Sequence, residues 1–132
     1  MDLMKLLSRY MRPLFKCLTV GLLIAITVLS VVPPEYRLET GAPHDIEHAA
    51  IFLLFGVSMV LGYRMRFWAW VTSGPLFTAI IEVAQLGVPG RHARLSDFLV
   101  DAGAVLLGSA CAVLLLKIRR IGAPREVIST LQ

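Results

Sequence analysis

The chain has 132 residues, enough for one domain and little more. It is 57% hydrophobic and 17% charged, against about 25% charged in a typical soluble domain; a disordered chain and a soluble globule are both excluded, because a surface this small could not hide so much apolar area. The net charge of +4 would suit a nucleic-acid binder, but the basic residues flank apolar runs, which is the pattern of membrane topology, and no nucleic-acid partner is expected.

Four apolar segments approach the roughly 20 helical residues that a bilayer core requires. The first covers residues 14–32, after a polar tail of residues 1–13 that carries Lys5, Arg9 and Arg12. Its charge order mimics a signal peptide, yet it closes on Val31-Val32-Pro33-Pro34 without a small-x-small cleavage site, so a retained anchor is expected. The second, residues 46–62, is the shortest and opens on His44-Asp45-Ile46-Glu47-His48. The third, residues 67–88, contains Pro75, which predicts a kink. The fourth covers residues 98–116, and a basic tail of residues 117–132 follows. Backbone groups in lipid must be satisfied within their own segment, so the fold expected is all-α, a membrane bundle of four transmembrane helices over residues 14–116.

Basic residues set the expected orientation. With both termini cytoplasmic, ten of the 13 basic residues lie inside, and Arg37, Arg91 and Arg94 remain outside. Only Asp2 and Glu126 of the nine acids are then inside. Tyr63, Trp68 and Trp70 flank the inner hairpin as an aromatic belt. All three histidines and every acid within a span fall on the outer side, so any site opens outward. Cys17 and Cys111 lie in apolar runs without metal-ligand spacing and read as small packing residues.

Glu82 is the most informative residue. It lies about six residues before the outer end of the third span, roughly 9 Å deep at 1.5 Å per residue. A carboxylate there costs about 2.5–3.5 kcal/mol on insertion scales, so it should face the bundle and be protonated, paired or hydrated. Thr78, Glu82 and Gln85 share its face through spacings of four and three. Interhelical hydrogen bonding accounts for Gln85 as well as a binding role does.

In the fourth span, Ser96 or Asp97 can cap the helix, whereas Asp101 is one turn deeper on Asp97's face. Ala104, Gly108 and Cys111 or Ala112 continue that face as a small-xxx-small stripe, which lets a neighbouring helix approach closely. His44 and His48 are four apart, a spacing that can serve zinc, but Pro43 puts His44 at the helix edge and Asp45 is a natural N-cap. No metal and no cofactor is expected, and His48 is the better acid–base candidate. The turn Gly87-Val88-Pro89-Gly90 leads into Arg91 and Arg94. These two either neutralise the acids or hold an anionic headgroup, which the arginine fork suits.

Asp45-x-x-His48 before the second span, Glu82-x-x-Gln85 in the third, Pro89-Gly90-Arg91, and Ser96-Asp97-x-x-x-Asp101 opening the fourth together resemble the VanZ-like family of small bacterial membrane proteins. The resemblance covers roughly residues 35–116. It implies that His48, Glu82, Gln85, Arg91, Asp97 and Asp101 are the polar signature, in a cell-envelope setting. The family is named for a factor linked to resistance to the glycopeptide teicoplanin. This chain departs from the common pattern at Ile46, at Asp101 and at Ala104, with Gly103 one place early.

Two functional expectations follow. In the first, an outward site binds an anionic membrane lipid or a lipid-linked cell-wall precursor, with Arg91 and Arg94 on the anion and Gln85, Asp97 and Asp101 reading the headgroup. In the second, an intramembrane hydrolase or transferase acts on such a substrate, with Glu82 as general acid or base and His48 as its partner. A transporter ranks below both, because the inner half has no acidic relay.

Overall fold

The computed structural model describes residues 3–32, 44–63, 65–90 and 94–121. These form four helices, α1 (Leu3–Val31), α2 (His44–Gly62), α3 (Phe67–Gln85) and α4 (Leu95–Ile121), and the described residues include no strand. Three stretches, Tyr10–Val31, Phe67–Gln85 and Leu95–Ile118, are long and apolar enough to cross a membrane. The apolar part of α2, Ile46–Gly62, is shorter.

Local chemistry moves three of the expected ends. The helix α1 begins at Leu3 and runs through Pro13, because the leucines, Lys5 and Met11 around that proline are strong helix formers. At its other end, α3 stops at Gln85, three residues short of the expected 88, and tightens into bonds from Leu86, Gly87 and Val88 to the carbonyls of Val83, Ala84 and Gln85. Gly90 then adopts φ 79°, a backbone that glycine takes without strain. The helix α4 extends to Ile121, past the expected 116, and α3 is continuous through Pro75.

Side-chain pairings fix the directions of the helices. Thr19 on α1 meets Ser58 on α2, and Gly62 lies against the backbone at Lys16, so these two helices are antiparallel. His48 meets Asp101, and Gly56 meets Ser109, both pairs 53 residues apart, so α2 and α4 run parallel and in register. Gly74 packs on Val105 while Glu82 reaches Arg94, which sets α3 antiparallel to α4. The starts of α2 and α4 therefore share one end of the bundle with the finish of α3.

The core is small. Ile26, Phe52, Phe55, Met59, Ile81 and Val105 form it, with Phe77 against Phe55 at 5.2 Å between ring centroids. The tightest contact is between α2 and α4: a Cβ on Gly56 would overlap the Val105 carbonyl, and one on Gly108 would overlap the Leu53 carbonyl. Lipid offers no hydrophobic drive between helices, so this close packing, with the Ser109 hydroxyl donating to the Gly56 carbonyl at 3.3 Å, is what holds the pair.

Ala104, Gly108 and Ala112 form the small stripe, whereas Cys111 is exposed, as is Cys17. The reading of both as small packing residues is not met by packing within the bundle. Cys111 sits one position round from Ala112, on the face that carries Leu107 and Leu114, and Cys17 lies on the side of α1 away from Thr19 and Ile26, with Val20 and Ile24.

Candidate functional site

Three helix ends converge on a group of ionisable side chains. The helix α3 brings Thr78, Glu82 and Gln85, all buried on one face, with Glu82 8% and Gln85 5% exposed. Asp101, 3% exposed, comes from the second turn of α4, and half-buried Asp97 from its first turn. His48 comes from the second turn of α2. Its ring packs at 6.1 Å on Phe52, which with Phe77 forms an aromatic floor between the polar cluster and the apolar core.

His48 Nδ1 lies 3.2 Å from Asp101 Oδ2. The imidazole pairs with Asp101 because the parallel register of α2 and α4 puts those two positions at one level. Glu82 also lies within electrostatic reach of Asp97, Asp101 and His48.

Glu82 instead accepts a hydrogen bond from the main-chain N–H of Arg94. That residue stands just ahead of α4, and its carbonyl receives the amides of Asp97 and Phe98. Of the two roles open to Arg94, neutralising the acids or holding an anion, the first is not what joins it to Glu82: that contact is made by its backbone, and the Arg94 residue is exposed. Asp97 does not cap α4 either, since the helix is entered at Arg94. Its carboxylate accepts from the Ser96 hydroxyl at 2.9 Å and lies in the first turn, where a negative charge is favourable.

Arg91, the main candidate for an anion contact, lies outside the described residues, as does His92. The helix α2 already includes His44 and Asp45, so Asp45 is not an N-cap, and the side chains of both lie outside the described residues. Among the described residues no group of three or more His, Cys, Asp or Glu has a geometry that could hold a metal ion.

One residue was missed from sequence. Glu47 Oε1 is buried and, like Asp101 Oδ1, has no hydrogen-bond partner among the described residues. Its place beside His48 in the first turns of a short apolar helix was the available signal.

The VanZ/LLP1 family profile matches residues 26–116, well over half of the chain. The protein therefore belongs to the VanZ/LLP1 family, as the motifs around His48, Glu82 and Asp101 suggested. No curated protein and no solved structure matches the chain.

Proposed function

We propose that this VanZ/LLP1 family member is a multi-pass protein of the cytoplasmic membrane in the bacterial cell envelope, with both termini inside and the polar cluster opening outward. There it binds the headgroup of an anionic lipid or of a lipid-linked cell-wall precursor, a role that would connect it to glycopeptide susceptibility. The observation that carries this reading is the convergence of His48, Glu82, Gln85, Asp97 and Asp101 at one end of helices apolar enough to span a bilayer. Ionisable groups at that depth are costly, and function is the usual reason they are kept.

Arg91 and Arg94 hold the anion at the mouth, and the acids read the polar groups of the headgroup. Replacing Arg91 by lysine keeps the charge but removes the two-point fork, so retention of anionic lipid on the purified protein should fall on the order of tenfold, equivalent to about 1.4 kcal/mol. Unchanged lipid retention in Arg91→Lys would contradict the reading.

One observation favours a catalytic variant: His48 held by Asp101 is the arrangement of a general base with its orienting carboxylate. Glu82 and His48 would then activate a water against a lipid-linked substrate. Headgroup release from vesicles by the purified protein, abolished in both Glu82→Gln and His48→Gln, would select this variant. Binding without release would select the first.

A further inference from the structure

We infer that the buried half of this site takes a primary ammonium group, carried by a zwitterionic phosphoethanolamine-type lipid whose phosphate stays outside the carboxylates. This rests on the headgroup-binding reading above and names the chemistry of its inner end. The cluster holds three carboxyl groups, on Glu82, Asp97 and Asp101, against one imidazole. Among the described residues the ion pair inside it is His48–Asp101, and Arg94 meets Glu82 with a backbone amide rather than its side chain.

What the cluster lacks is equally specific. The buried side-chain atoms without a hydrogen-bond partner among the described residues are Glu47 Oε1 and Asp101 Oδ1, and both are carboxylate oxygens. The Asp101 side chain is 4% exposed and already turned toward His48, so its second oxygen has no bulk water to satisfy it. Among the described residues both demands are for a donor, and the carboxyl groups of Glu82 and Asp97 grouped with Asp101 call for a cation.

A phosphate brings only acceptors and like charge, so it cannot complete this group. An ammonium brings three N–H donors and one positive charge in the volume of a methyl group. A quaternary amine supplies the charge without the donors. Phosphoethanolamine carries the ammonium two carbons from its phosphate, so the ammonium can enter among the carboxylates while the phosphate stays outside them.

The test uses the full chain in phosphatidylglycerol nanodiscs doped with equal small fractions of phosphatidylethanolamine or phosphatidylcholine, with retained lipid read by native mass spectrometry. Phosphatidylethanolamine should be retained over phosphatidylcholine by about tenfold, the scale of one charge-assisted hydrogen bond. Asp101→Asn should erase that preference. If Asp101→Asn does not fold, Glu82→Gln, which keeps an acceptor for the Arg94 amide, is read in its place.

Equal retention of the two lipids in the unaltered protein, or a preference that survives both substitutions, overturns the inference. If that happens while retention still depends on Arg91, the headgroup reading stands alone. If no lipid is retained above the level of bulk annular lipid, both fail.

Discussion

Where α2 and α4 cross at Gly56 and Gly108, they meet backbone to backbone, each glycine against a carbonyl of the other helix. About two turns nearer the start of both helices, the same pair meets through His48 and Asp101 at 3.2 Å, and one carboxylate oxygen there is left without a partner among the described residues. The register is identical at both levels, yet the first contact is filled and satisfied and the second is not. Small residues lock the pair from below, so the polar end can hold an unfavourable group without separating the helices. Close packing is concentrated at one level and the ionisable groups at the other.

The largest effects should come from breaking the lock. Gly56→Leu or Gly108→Leu places a side chain against a carbonyl that no rotamer change can clear, and should cost at least about 3 kcal/mol. Thermal unfolding in detergent checks this, with Gly103→Leu as the control. A side chain at Gly103 meets open space, so the change there should stay within about 0.5 kcal/mol.

An intermediate effect separates structure from chemistry at the polar end. Glu82→Ala leaves the Arg94 amide without its acceptor and should cost about 2 kcal/mol, whereas Glu82→Gln keeps an oxygen there and should cost under about 1 kcal/mol. If the two variants unfold at the same temperature, Glu82 is not holding the entry to α4.

The smallest effect belongs to the third helix pair. The Thr19 hydroxyl lies 3.1 Å from Ser58 Oγ, but it can also donate to its own helix at the Phe15 carbonyl, 2.7 Å away. Thr19→Val should therefore cost only about 0.6 kcal/mol, the usual worth of an interhelical hydrogen bond in a membrane. A loss several times larger, measured by the same unfolding assay, would mean that α1 is held on by this contact.

How far the sequence could be read follows the range of each signal. Glu82, Gln85 and Thr78 were legible as one buried face because a carboxylate in an apolar run has few places to go and helical periodicity supplies the rest. The stripe of Ala104, Gly108 and Ala112 was legible for the same reason. Choosing between Cys111 and Ala112 was not, since one residue of rotation separates them.

The partner of His48 was out of reach, because it depends on a register between two helices set 53 residues apart by their glycine crossing. Arg94 was noticed for its guanidinium, while its structural contact is an amide that every non-proline residue possesses. Glu47 was passed over beside the more conspicuous His48, although both lie at the same helix start.

The outward placement of the polar end is the claim on which the proposed chemistry depends, and thiol labelling in intact cells tests it most directly. Cys17 and Cys111 are replaced by serine, and single cysteines are introduced at Ala93, which precedes Arg94 in the sequence, and at Met65, between α2 and α3. A membrane-impermeant reagent should label position 93 and leave position 65 unlabelled. Labelling at 65 and not at 93 would put Glu82, Asp97 and Asp101 on the cytoplasmic side, contradicting both the charge-based orientation and an envelope-facing ligand.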